Sequence, residues 1–316
     1  MIQYNITLNS FNDFLPMKKI NFLLFASSLG LLGCSQGELY SAHKLTVATW
    51  NVEHLASDGD QGCKMRTESD YNQLTQYVNT IDADVFALQE VASEAAVSRI
   101  FNPEKWQVIM SSRNDSPSYK CRGNGNLSTQ QKVAFAVKKS ITVSDIKHLT
   151  SFSEVKLGAR EGLQLSLKYN NQTINLLNLH LKSGCFTQNY SQSDSKSCQI
   201  FAKQAELLKQ HVASQILPGE QWLMLGDFNH HLADDKNTLR NTLIPENMSA
   251  NSKLTVLTDG KQSCHPKYPA PIDHIISSPT MTRKLSSLVM FHKYSQQAPT
   301  TMLSDHCALS ATFNIN

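Results

Sequence analysis

Apolar and polar positions alternate in blocks along the chain, and the period of each block predicts an element. Residues 45–52 read as a strand with Val47, Thr49 and Asn51 on one face. A loop with Asp58, Gly59, Asp60 and Gly62 follows. Tyr71, Leu74, Val78 and Ile81 recur at helical spacing, which predicts an amphipathic helix over 69–82. Asp82-Ala83-Asp84 ends it and opens a strand over 85–88, with Glu90 at its end. Strands are predicted at Trp106–Met110 and 133–137, separated by a long polar loop over 111–130 rich in Ser, Asn, Gly and Arg. Runs over 163–167 and 173–181 flank Asn170-Asn171-Gln172, a hairpin-like turn. Phe201, Ala205, Leu208, Val212 and Ile216 share one face of the longest predicted helix, 197–216. Strands over 222–225, 272–276, 288–291 and 308–313 complete the chain. Many strands with a few helices suggest two packed sheets covered by helices, and periodicity alone leaves the number of layers open.

The segment before residue 45 breaks this pattern. Met17-Lys18-Lys19-Ile20 is basic, residues 22–32 are almost continuously apolar, and Gly33-Cys34 closes the run. The run is too short for a spanning helix and has the layout of an export signal. It resembles a bacterial lipoprotein signal, in which Cys34 would carry the lipid and Met17 would be the start. A plain secretory signal or a buried apolar segment are the alternatives. The expected organisation is an extension and signal over 1–34, a short tether over 35–44 and one domain over 45–316, facing the periplasm or exterior or secreted.

Composition constrains less. The chain has 316 residues, 41% of them hydrophobic and 17% charged, an ordinary globular balance. A formal net charge of +3 is too weak to imply nucleic acid by itself. Removing 1–34 takes away Lys18, Lys19 and Asp13 and leaves +2. Of seven cysteines, six remain beside Cys34. In an exported chain an even number suggests disulfides, with fifteen pairings open. The expected set is Cys185–Cys198 as a local loop clip, with Cys63–Cys121 and Cys264–Cys307. A cysteine-held metal is the rival reading, and no Cys-x-x-Cys spacing supports it.

The chemical signal is a repeated arrangement in which an apolar strand ends on a metal-capable or proton-transferring residue. The set runs through Asn51 and Glu53, Gln89-Glu90, Asn178-Leu179-His180, Gly226-Asp227-Phe228-Asn229, Asp273-His274 and Asp305-His306. Each group alone reads as a turn former, a cap or a structural histidine. Together they offer oxygens suited to Mg2+ and two histidines suited to proton transfer, which is what phosphate-ester cleavage needs.

In this order the motifs resemble the endonuclease/exonuclease/phosphatase superfamily, with Gly226-Asp227-Phe228-Asn229 and Ser304-Asp305-His306 its most specific pieces. The resemblance covers roughly residues 45–313. It implies an α/β fold, a four-layer α/β/β/α sandwich of two packed mixed sheets flanked by helices, with the site at one edge. It implies Glu90 as principal metal carboxylate, helped by Asn51, with Asp305 on the metal or phosphate side and Glu53 in an outer role. Asp227 and Asn229 would orient the nucleophile and contact phosphate. His306, held by Asp273, would act on the attacking water. His180 would contact phosphate or serve as acid, and Arg160 would bind phosphate. The implied cofactor is Mg2+, with Mn2+ or Ca2+ as alternatives.

The loops around His180 and Asn229 look most like exported bacterial deoxyribonuclease-like members. This makes residues 45–316 a single metal-dependent phosphoesterase domain and nucleic acid the expected substrate, DNA first and RNA second. Arg113, Lys120, Arg122, Lys132, Arg160 and Lys182 are the cations expected to rim the site, and Tyr119 and Phe186 the rings that could stack. Ala92 stands where pancreatic-type enzymes carry a groove-reading arginine, which weakens the duplex reading. A lipid-headgroup phosphodiesterase is the runner-up, although 276–304 holds no obvious apolar insertion hairpin. A small-molecule or inositol phosphatase and a catalytically inactive binding module complete the alternatives. Membrane contact is expected through the lipid anchor only. A monomer with no obligate protein partner is expected.

Overall fold

A computed structural model of the chain describes residues 43–57, 60–129, 131–295, 298 and 301–316. The extension and signal segment expected over 1–34, Cys34 included, lie outside the described residues, as does most of the tether. In chain order the strands are β1 (Lys44–Leu55), β2 (Val85–Val91), β3 (Trp106–Met110), β4 (Tyr119–Lys120), β5 (Leu127–Ser128), β6 (Lys132–Lys138) and β7 (Thr142–Leu149). They continue with β8 (Gly162–Tyr169), β9 (Gln172–His180), β10 (Trp222–Asp227), β11 (Thr255–Val256), β12 (Asp273–Ser277), β13 (Met290–Phe291) and β14 (Leu309–Asn314). The helices are α1 (Glu68–Ile81), α2 (Glu94–Ser98), α3 (Ser151–Glu154), α4 (Lys196–Gln215), α5 (Thr238–Leu243) and α6 (Pro279–Lys284).

One six-stranded sheet has the order β13-β14-β1-β2-β6-β3 and the other β11-β12-β10-β9-β8-β7. Each is mixed: β1 pairs parallel with β2 and β9 with β10, whereas their other neighbours run antiparallel. The period-2 alternation of each strand explains why the sheets stack. Val47, Val85, Phe135, Leu165, Leu176, Leu225 and Ile275 pack between the sheets. The intervening residues point outward. Trp50, Phe86 and Leu88 meet Leu74, Val78 and Ile81 of α1, and Leu177, Trp222 and Met224 meet Phe201, Ala205 and Leu208 of α4. The result is the expected α/β/β/α order.

Local chemistry sets the helix ends. Thr67 and Asp70 form a reciprocal capping box at α1, and Asp82 closes it in the left-handed region at φ 48°. Ser195 caps α4 by accepting from the Cys198 N–H. The three expected disulfides are all formed, Cys63–Cys121, Cys185–Cys198 and Cys264–Cys307. Strand β7 escapes the sequence pattern because it lies at a sheet edge with Ser144, Asp145, Ile146, Lys147 and His148 all exposed. The strand expected over 288–291 shrinks to β13, and the polar loop over 111–130 contains the small β4–β5 pair.

Candidate active site

The same alternation that builds the core carries polar side chains into the gap between the sheets at one edge. On β1, Leu45 and Val47 face the gap and are followed on that face by Thr49 and Asn51; on β2, Val85 and Ala87 are followed by Gln89. On β9, Ile174 and Leu176 are followed by Asn178 and His180, and on β10 Leu223 and Leu225 by Asp227. Thr49, Gln89 and Asn178 form the floor. Gln89 Nε2 donates to Asn178 Oδ1 at 2.8 Å and to Thr49 Oγ1 at 3.0 Å, while Asn178 Nδ2 donates to the Leu88 and Ala134 carbonyls. The sequence reading grouped Gln89 and Asn178 with the chemically active residues. Their hydrogen bonds make them the bridge between sheets beneath the site.

Above that floor the expected residues converge. His306 Nδ1 lies 2.7 Å from Asp273 Oδ2, and His306 Nε2 lies 3.9 Å from Asp227 Oδ2. His180 Nε2 lies 3.4 Å from Asp227 Oδ2 and 3.9 Å from Glu90 Oε1. Asn51 Nδ2 donates to Asp227 Oδ2 at 3.1 Å, and the Asn229 N–H donates to Asp227 Oδ1 at 2.8 Å. Arg160 packs its guanidinium against His180 and reaches the Leu181 carbonyl. Asp305 Oδ1 lies 3.8 Å from His306 Nε2, and the Asp305 N–H donates to Glu53 Oε2 at 2.9 Å. Asn51, His180, Asp227 and Asp273 are buried; Asp305 is exposed.

The backbone is bent to achieve this. Glu53, His54, Glu90 and Asn229 all have positive φ, 50°, 55°, 59° and 52°. Such residues are costly for side chains with a Cβ and gather where a site demands them. Gly226 has no alternative: a Cβ there would stand 2.0 Å from the Leu179 carbonyl oxygen. Ser304 explains the first position of its motif, since its hydroxyl donates to the Asn51 carbonyl and accepts from the His306 N–H.

Charge is distributed unequally over the two histidines. Burial works against a charged His306, but the charge and hydrogen bond of Asp273, with Asp227 and Asp305, override it and hold the imidazolium well above the usual histidine range. Burial, reinforced by Arg160, pushes His180 well below that range and keeps it neutral. Burial and the neighbouring Asp273 raise the Asp227 carboxyl to about 7, against the pull of His306.

Two sets of donors could hold a cation. Asp227, Asp273 and His306 bring ligand atoms within 4.8 Å of one another. Glu90 and Glu53 offer carboxylates on the other side of Asp227, with Asn51 between. Asp273 Oδ1 is buried with no hydrogen-bond partner, which leaves a lone pair to satisfy. Oxygen donors of this kind fit a hard divalent ion.

His54 and Lys64 were not singled out in the sequence. The His54 N–H donates to Glu90 Oε2 at 3.2 Å, and Lys64 Nζ pairs with Glu53 Oε2 at 2.5 Å. Only their closeness to Glu53 in the chain could have drawn attention to them. Lys64, Lys120, Arg122 and Tyr119 line a groove with Glu53 and His54. Of the other expected cations, Lys132 pairs with Asp115 at 2.8 Å, Arg113 reaches the Asn114 and Gln131 carbonyls, and Lys182 turns to the Ser183 carbonyl. Phe186 lines a separate cavity on the opposite flank of His306.

Over residues 48–306 the chain matches the Endonuclease/Exonuclease/phosphatase family. No curated protein matches it in sequence. Among solved structures, D. rerio TDP2 complexed with single strand DNA product is similar at TM-score 0.59 and 16% identity, covering 86% of this chain and 99% of that one. The human Nocturnin catalytic domain with bound sulfate anion gives 0.56 and 12%, covering 86% and 94%. The endonuclease/exonuclease/phosphatase from Bacteroides vulgatus gives 0.56 and 14%, covering 87% and 100%. At these identities the likeness shows the fold, and it does not single out exported deoxyribonucleases.

The exported, lipid-anchored location expected from the N-terminal pattern is corrected by these matches. TDP2 and Nocturnin are intracellular proteins and not secreted or membrane-anchored lipoproteins. The apolar run and Cys34 that suggested an anchor lie outside the described residues, so they carry nothing for it. Among the described residues no helix is long and apolar enough to cross a membrane.

Proposed function

The chain belongs to the endonuclease/exonuclease/phosphatase family, whose members are phosphoester hydrolases, and from that premise we propose that it is a divalent-metal-dependent nuclease. Its substrate in this reading is the phosphodiester of DNA, with RNA as a second polymer. The observation that carries the reading is the Asp273–His306 pair at 2.7 Å facing Asp227 across 3.9 Å. That gap suits a water held between His306 Nε2 and Asp227 Oδ2.

In this reading the attacking water lies between Asp227 and His306, oriented by Asn229. Its proton passes to the Asp227–His306–Asp273 unit, which titrates as one system. Arg160 and neutral His180 face the phosphoryl oxygens. A divalent cation, when bound, neutralises phosphoryl charge and eases departure of the leaving oxygen. Glu90 is the principal ligand, with Asn51 and Asp305 beside it. The compact Asp227–Asp273–His306 cluster is better used for the proton, because His306 Nδ1 is already committed to Asp273. The groove with Lys64, Lys120 and Arg122 supports a polyanionic substrate.

A substrate panel tests this. Purified protein is offered single-stranded and duplex DNA, RNA, sphingomyelin, phosphoinositides and nucleotides, with Mg2+, Mn2+ or chelator. Cleavage of DNA or RNA that chelator abolishes is expected. Turnover confined to a lipid or a monoester would overturn the nuclease reading.

A further inference from the structure

The candidate site has two unlike flanks. The groove on the Glu53 side carries Lys64, Lys120 and Arg122. On the other side of His306 lies a cavity of about 560 Å³ whose wall includes Asn229, Asp273, Asp305 and His306 themselves. That volume falls in the ~300–1,000 Å³ range of small-ligand pockets. Among the described residues no lysine or arginine lines it. It is therefore poorly made for a second phosphate and well made for an uncharged group attached to the first.

Its mouth is aromatic. Tyr268 stacks on His265 with ring centroids 4.8 Å apart and planes 28° from parallel, yet is 70% exposed. Phe186 is 92% exposed on the facing loop. Both loops are clipped at the cavity wall, one by Cys185–Cys198 and the other by Cys264–Cys307, so neither depends on a ligand to be held. Two preset aromatic faces beside the phosphate site suit a planar ring.

We propose that this cavity takes the nucleobase of the nucleotide on one side of the scissile phosphate, stacked on Tyr268 and Phe186. This inference rests on the nuclease reading and adds to it which part of the substrate is held and how. A base can enter only after leaving its helical stack, so single strands and frayed ends are cut in preference to paired duplex. The lost groove-reading arginine at Ala92 agrees with that preference.

The test uses a short single-stranded oligonucleotide with phosphorothioate at every linkage but one. In two analogues the base on one or the other side of that linkage is removed. Loss of one of the two bases is expected to raise KM about tenfold, the effect of one stacking contact. Tyr268→Ala and Phe186→Ala should raise KM on the intact strand by a similar factor, leave kcat little changed, and add nothing on the sensitive analogue. Phe186 is so exposed that its variant folds whatever Tyr268→Ala does. The paired duplex should be cut at least tenfold more slowly. Equal KM for all three strands would overturn the base pocket and leave the nuclease reading standing. Failure to cut any nucleic acid would remove the nuclease reading and the pocket with it.

Discussion

Gln89 on β2 and Asn178 on β9 meet across the gap between the two sheets, Nε2 to Oδ1 at 2.8 Å, fully buried. This contact fastens the sheets where the apolar core gives way to polar chemistry. Asn178→Ala would strand Gln89 and leave the Leu88 and Ala134 carbonyls without their donors. Unpaired buried groups cost about 1–3 kcal/mol each. We expect a loss of about 3 kcal/mol or more in urea unfolding. A loss within experimental error would mean the bridge is not needed to hold the sheets.

The Asp273–His306 pair makes a kinetic prediction. His306→Ala should lower kcat by about 10²–10⁴-fold, the usual worth of a proton-transfer group, while the melting temperature changes little. Asp273→Asn removes the charge that sustains the imidazolium and should shift the pH profile as well as lower kcat. Full activity in the His306 variant would exclude it from the chemistry.

Much of this geometry was legible in the chain because strand periodicity and site chemistry use the same residues. Once Leu45 and Val47 face the gap, Asn51 must face it too, and the same logic carries Leu223 and Leu225 to Asp227. The sequence could not separate Gln89 and Asn178 from the chemical group, because a carboxamide bridging two sheets and one holding a ligand look alike until the partner is known. His54 enters through a left-handed backbone turn, a feature no hydrophobic pattern encodes. β7 was missed because an edge strand with one run of exposed residues has no alternation to detect. The exported location failed for another reason: it rested on a local pattern with no link to the fold.

Metal binding can be assigned by stability without any substrate. A ligand that binds the folded state raises its melting temperature. Mn2+ or Mg2+ should raise that of the wild type, Glu90→Gln should lose most of the rise, and Asp273→Asn should keep it. The reverse pattern would move the cation to the Asp227–Asp273–His306 cluster.

Gly226 is the most constrained backbone position of the site. Gly226→Ala must push β10 away from Leu179, because the new Cβ would overlap the carbonyl oxygen at 2.0 Å. Neither partner can yield, since both belong to paired strands. A destabilisation of several kcal/mol is expected, on the order of the largest single-residue effects, with Asp227 displaced and activity lost. Normal stability in calorimetry would show that the strands have room to part.

Acid should destabilise this fold through histidines that the chemistry does not use. Burial lowers His274 to about 3 and His230 to about 4, against an ordinary 6.5. His274 is held by Thr258 and the His230 carbonyl, and His230 is stacked on Phe201. Both are neutral when folded and take up protons once unfolded. Their contribution is therefore complete above pH 6.5 and is lost as the pH falls through the window from 6.5 to about 3. For each, the loss by pH 4 is on the order of 3 kcal/mol. The urea midpoint should fall steeply between pH 6.5 and 4.5. His230→Gln combined with His274→Gln should start lower at pH 7 and decline less over the same range. An unchanged decline would assign the acid sensitivity to the carboxylates instead, because those remain in the variant while the two imidazoles do not.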